Sequence, residues 1–326
     1  MRRLVLLCLS GWLIATCSPA VAQVQATPPA PPPATSADAS AVVDELAPVQ
    51  INMPGPAVWK VTRGDSQVII LGFIRPLPHM LQWDTGRITH ALDGAHALLI
   101  PAAPRLGVFD AMGLMLAANT LHNPGGRTLD KVLTPADYQT FLQATATAHT
   151  DPKHYARWKP VIAGAALIGD LRKAAGLSDA KPVSTVSTMA KAMHVPVREM
   201  GHLKLAPLVK IITGMDDAHG LACYRAEMRQ FAWEASEART AANAWAHGDV
   251  AGMRRTRAEV TTCLEDLPSV QALTERGTAD AVAAMDEALS RPGKSVALVE
   301  MQYLDRSNGL LDRLRAKGAV ISVPTN

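Results

Sequence analysis

The chain has 326 residues, with 32 Lys plus Arg against 29 Asp plus Glu and a formal net charge of +3. Charge so nearly balanced, and scattered along the chain, excludes the concentrated basic face that a nucleic-acid partner requires. Hydrophobic residues make up 48% of the sequence, enough apolar surface for one large core.

Residues 1–22 have the three parts of a secretory signal: basic Arg2 and Arg3, an apolar run from Leu4 to Ala15, and small residues ending in Ala20-Val21-Ala22. The mature chain is expected to begin at Gln23, and loss of the two arginines takes the formal charge from +3 to +1. A membrane anchor is the plainer alternative, but the apolar run falls short of the roughly 20 residues that span a bilayer, and Ser10, Thr16 and Ser18 interrupt or follow it. Cys17 offers a lipobox reading, against which stand Thr16 directly before it and the Ala-Val-Ala site just behind it. No later stretch is both uncharged and long enough to cross a membrane, so a periplasmic or secreted product is expected. Cleavage leaves Cys223 and Cys263, which an oxidising compartment favours joining. That bridge closes a loop of about 40 residues and is worth on the order of 2 to 4 kcal/mol. Two separately buried thiols are the alternative.

Residues 23–56 are rich in alanine and proline, lack apolar periodicity and read as an extended linker without chemistry. From residue 57 the pattern changes. Val58 to Val61, a turn at Arg63-Gly64-Asp65 and the β-branched run Val68 to Leu71 read as a hairpin. Gly86 to Leu92 reads as helix, Ala97 to Ile100 as a buried strand ended by Pro101, and Phe109 to Ala118 as apolar helix. Met112 and Met115 in the last sit at helical spacing and read as core packing. Thr134 followed by Pro135 is an N-cap with proline at the first helical position, opening a helix to Ala148. Trp158 to Ala175 is a buried helix ended by Gly176, Thr185 to Met193 another helix, and Val195 to Val197 a short strand.

Alanine-rich helices then run from Asp216 to Trp245 and from Asp249 to Thr262. A helix over Thr278 to Ser290, a strand over Ser295 to Met301, a helix over Gly309 to Lys317 and a strand over Val320 to Val323 complete the chain. Strands at both ends with helices between them predict a single α/β domain over 57–326, a central mixed sheet flanked by helices, with a long helical insertion in the second half carrying the cysteines.

One group of segments, taken in order, resembles a known family. The hairpin strand with Trp59-Lys60, the Gly64-Asp65 turn, the strand ending Gly72-Phe73-Ile74-Arg75-Pro76-Leu77-Pro78 and the following Trp83 are similar to the TraB/GumN family, related to the TIKI metalloproteases. Arg127 to Leu133, Arg157-Trp158-Lys159-Pro160, Ala192 to Val197, Trp245 to Asp249 and Gly309 to Gly318 extend the likeness from about Pro56 to Pro324. Active-looking members of that family end the first of these strands in G-x-x-H, the next buried strand in glutamate and the last strand but one in a glycine-histidine turn. Imidazole and carboxylate at those places suit a divalent metal that activates water.

The matching positions here are Arg75, Pro101 and Tyr303. Arginine offers no acceptor, proline has no ligating side chain, and tyrosine is a poor ligand near neutral pH. The resemblance therefore implies an exported envelope protein that binds a protein or polymer and needs no cofactor. The rival implication is a divergent metal-dependent hydrolase of peptides or envelope polymers, built on Glu199, His202, Glu300 or Tyr303. Glu199 and His202, expected just after the Val195 to Val197 strand, read more plainly as a solvated carboxylate and a surface histidine. Glu300 is either turned to the cleft or paired with Arg75, since a guanidinium holds a carboxylate well. No G-x-S-x-G, H-E-x-x-H, P-loop or dinucleotide-binding pattern is present, and the remaining histidines lack ligand spacing.

Overall fold

A computed structural model describes residues 55–105, 118–204, 206–257, 263, 267–304 and 306–324. The residues expected to form the signal segment, nearly all of the linker and the 109–117 part of the apolar helix lie outside these. Ten strands are present among the described residues. They are β1 (Val58–Arg63), β2 (Ser66–Phe73), β3 (Leu77–Pro78), β4 (Leu98–Pro101), β5 (Pro104–Arg105), β6 (Leu177–Ser178), β7 (Val197–Met200), β8 (Leu203–Lys204), β9 (Gly293–Glu300) and β10 (Val320–Ser322). Six of them form the central sheet in the order β10-β1-β2-β9-β4-β7. Two-residue ladders, β3 with β6 and β5 with β8, stand apart.

The sheet is mixed because its two halves are built differently. β1 and β2 form the expected hairpin, antiparallel from Val58↔Leu71 to Arg63↔Ser66, and Gly64 takes the left-handed φ of 56° that the tight turn needs. β10 adds antiparallel on the other side of β1. β2, β9, β4 and β7 run parallel. Val296, Ala297 and Leu298 of β9 are fully shut from water, as a strand covered on both faces requires.

Helices pack on this sheet. Ile88 and Leu92 of the Gly86–Leu92 helix, Val186 and Ala190 of the Val183–Ala192 helix and Met285 and Leu289 of the Pro268–Leu289 helix join its core. A second core lies in a helical lobe, where Leu129, Phe141, Tyr155, Leu167, Tyr224 and Phe231 meet. The Asp217–Ala246 helix belongs to both: Tyr224 and Phe231 lie in the lobe, while Ala241, Ala242 and Trp245 lie in the sheet core. Its 30 residues reach about 45 Å, the length needed to bridge them.

Local chemistry explains the helix ends. Thr134 accepts from the Asp137 amide with Pro135 at the first position, and Asp216 accepts from the His219 amide at the head of the long helix. Gly176 closes the Pro160–Ala175 helix at φ 65°. Cys223 and Cys263 are joined with Cα atoms 4.8 Å apart. Arg225 grips Asp137 with Nε and Nη2 at 3.0 and 2.8 Å, tying the long helix to the Pro135–Thr147 helix.

Several boundaries differ from the sequence reading. The helix expected from Thr278 begins ten residues earlier, at Pro268, a favoured first position, and Gly277 does not break it. The helix after Asp249 spans Val250–Arg257, with 258–262 outside the described residues. The strand expected over Val195 to Val197 is β7, displaced to Val197–Met200 because its ladder with β4 starts at Leu98↔Val197. β9 ends at Glu300 rather than Met301, and Met301–Leu304 turns into helix.

Glu227 sits on the long helix against Gly164, so closely that a Cβ added at Gly164 would lie 2.2 Å from Glu227 Oε2. That oxygen is cut off from water and has no hydrogen-bond partner, and burial pushes the carboxyl up from 4.5 to about 9. The folded chain holds this proton across a range where the unfolded chain has released it, so stability falls as pH rises from 4.5 towards 9. Chemical denaturation at stepped pH values should show a decline of up to about 1.4 kcal/mol per pH unit from this group. Glu227→Gln, which cannot ionise, should flatten that decline, and equal slopes in the two proteins would refute the assignment.

Candidate functional site

In an open sheet, the carboxyl ends of parallel strands face the crevice where ligands bind. Here those ends belong to β2, β9, β4 and β7. The ladder sets the neighbours: Phe73 lies opposite Glu300, Ile100 opposite Glu199 and Pro101 opposite Met200.

The end of β2 is fixed by a close approach at Gly72. A Cβ there would fall 2.4 Å from the Trp59 ring and 2.6 Å from Met301 Sδ, so only glycine fits. The Gly72 carbonyl accepts from Trp245 Nε1 at 2.8 Å, and Trp83 meets the Trp245 ring edge-on with centroids 5.2 Å apart. Both tryptophans are thereby turned to the same strand end, one satisfying a backbone acceptor that the sheet leaves over. Gly248, at φ 73° just beyond Trp245, comes close to the Gly55 carbonyl, where a Cβ would stand 2.7 Å away. These contacts give a physical reason for the Trp245 to Asp249 segment.

Beyond Phe73 the chain turns through a cis Arg75–Pro76 bond. Arg75 Nη2 donates to Glu300 Oε2 at 2.6 Å, and its guanidinium carbon lies 5.5 Å from the centroid of the Phe73 ring. Gln302 Nε2 donates to the other oxygen, Glu300 Oε1, at 3.0 Å. Both carboxylate oxygens are therefore engaged. The Glu300 side chain is only 13% exposed and that of Arg75 39%, so the pair sits at the rim with its guanidinium towards solvent.

The other candidates fall in different places. Pro101 closes β4 in the middle of the same edge, half-buried. Tyr303 is not at a strand tip: β2 ends at Phe73, opposite Glu300, and the chain past Glu300 coils into the Met301–Leu304 turn, where Tyr303 packs part-buried against the main core. Glu199 lies inside β7 rather than in a loop after it. His202 follows Gly201, whose φ of 95° and tight approach to Asp280 turn the chain, and is exposed. Phe73, Gln302, Trp83 and Trp245 were not among the residues expected at the site. Phe73, Trp83 and Trp245 stand within the segments that carry the family likeness, but nothing local to them points to a place at this edge, and Gln302 has no cue at all.

An α/β domain with a mixed six-stranded sheet, and a polar pair set at the carboxyl edge of its parallel strands, is the class of protein this geometry defines. The chain belongs to the TraB/PrgY/gumN family, whose profile matches residues 57–323. No curated protein and no solved structure matches it.

The divalent metal that the resemblance implies does not suit the side chains at this edge. A guanidinium in the position of an imidazole brings a fixed positive charge and no lone pair, and its partner carboxylate has both oxygens occupied. Among the described residues no group of three or more His, Cys, Asp or Glu side chains is placed to hold a metal ion.

Gly72→Ala should therefore cost more than about 2 kcal/mol in chemical denaturation, since both the Trp59 ring and Met301 lie in the way. A variant as stable as the parent would show that the close approach is not real.

Proposed function

We propose that this family member is exported to the cell envelope and that its strand-edge site binds a protein or polymer instead of carrying out metal-dependent hydrolysis. The observation that supports this most is the Arg75–Glu300 pair, a cation and an anion satisfying one another where the family resemblance implies metal ligands. With Nη2 committed to Glu300, the remaining guanidinium N–H groups of the exposed side chain are free to meet carboxylate, phosphate or carbonyl oxygens. Phe73 beneath it, and Trp245 bonded to the Gly72 carbonyl with Trp83 against its ring, brace this strand end, which suits recognition at low entropic cost.

Export rests on the signal-like residues 1–22 and on the Cys223–Cys263 bridge, a bond that persists in oxidising compartments. Among the described residues no helix is long and apolar enough to cross a membrane.

Two measurements test the reading. N-terminal sequencing of the protein recovered from an envelope fraction should begin at Gln23, and an intact Met1 in the cytosol would contradict export. Protein from that fraction, incubated in turn with manganese, cobalt and zinc salts and then desalted, should carry well under one ion per chain. Stoichiometric metal that disappears in a Glu199→Ala, His202→Ala variant would establish the rival metal-dependent hydrolase.

A further inference from the structure

Two of the segments that carry the family likeness, Arg127 to Leu133 and Arg157 to Pro160, lie far from the sheet edge and are not used there. Their flanking residues and Asn123 hold them together. Leu129 N–H donates to Ala156 O at 2.8 Å and Lys159 N–H to Leu121 O at 2.9 Å. Asn123, only 5% exposed, uses its amide nitrogen to hold Arg127 O at 3.1 Å and Trp158 O at 2.9 Å. These bonds set Arg127, Lys131 and Lys159 around one wall of a cavity of about 280 Å³ in the helical lobe.

The rest of the charged lining comes from another part of the chain, between residues 212 and 221, and its charge is of the opposite sign. Asp216 and Asp217 stand there at the head of the Asp217–Ala246 helix. Bonds from His219 hold the Asp216 carboxyl below its ordinary range, so it is ionised. Between the charges the lining is apolar, with Val132, Met215 and Leu221. No ion pair crosses the cavity among the described residues: Asp216 is bonded to its own neighbour His219, and Lys131 pairs with the adjacent Asp130.

We propose that this cavity is a second binding site and that its ligand is a small zwitterion with an apolar side chain, such as a free α-amino acid or a short peptide. The ligand carboxylate lies on Arg127 and Lys159, its ammonium on Asp217 with the Asp216 charge beside it, and its side chain on the apolar lining. A ligand with one charge leaves one wall unmatched, whereas a zwitterion meets both signs at once. The volume matches a single amino acid or dipeptide.

The test is isothermal titration of the whole purified protein with L-leucine and with alanyl-leucine at physiological salt. Isovalerate, which lacks the ammonium, and isoamylamine, which lacks the carboxylate, are run beside them. The zwitterions should bind at least tenfold more tightly than either single-charge probe. Arg127→Ala and Asp217→Asn should each weaken them by about tenfold, with unchanged thermal unfolding to show that the lobe is intact. Isovalerate binding as tightly as L-leucine would make this a plain anion site and overturn the proposal, as would no heat from either zwitterion. Because none of these probes or variants touches Arg75 or Glu300, the outcome is independent of the strand-edge reading.

Discussion

Eight consecutive residue pairs between β2 and β9, from Ser66↔Gly293 to Phe73↔Glu300, join parts of the chain more than two hundred residues apart. The Arg75–Glu300 pair at the candidate site follows from that parallel ladder. It ends both strands at the same level, so residues just past β2 meet the last residue of β9, and Arg75 reaches Glu300. It also brings Met301 against Gly72, where the hairpin partner β1 supplies Trp59, so that the position excludes a side chain. A slip of one residue would reverse the face of every side chain in β9 and take Glu300 away from the edge.

The long helix performs the corresponding task for the rest of the molecule. One end of it packs into the lobe beside the disulfide, and the other delivers the Trp245 indole to the Gly72 carbonyl. Geometry at the sheet edge is thus coupled to a core some distance away. Substitutions in the lobe can disturb the edge without touching it.

Much of this architecture was legible in the residues. The hairpin, the Thr134-Pro135 helix start, the Gly176 stop and the cysteine pair depend on local chemistry that the sequence displays directly. Two of the misplaced boundaries, those of β7 and β9, share a cause, and the third has a local one. The position of β7 is set by its ladder with β4, the end of β9 by the end of β2, and the early start of the Pro268–Leu289 helix by a proline after a stretch of mixed polarity. Long-range pairing cannot be read from local propensity. The same limit hid Gln302 and the two tryptophans, whose roles arise only when segments distant in sequence are brought together. Arg75 was legible as a departure from the family pattern, and the structure supplies its partner.

The positive side chain just past β2 does structural work through the carboxylate at the end of β9. A double-mutant cycle measures this directly, with unfolding free energies of the parent, Arg75→Ala, Glu300→Ala and the double variant determined in one buffer. The expected coupling is about 1 kcal/mol or more, because Glu300 is largely buried and the single change at Arg75 strands its charge. Additive losses, with coupling indistinguishable from zero, would mean that the two side chains do not hold one another and that the site is organised in some other way.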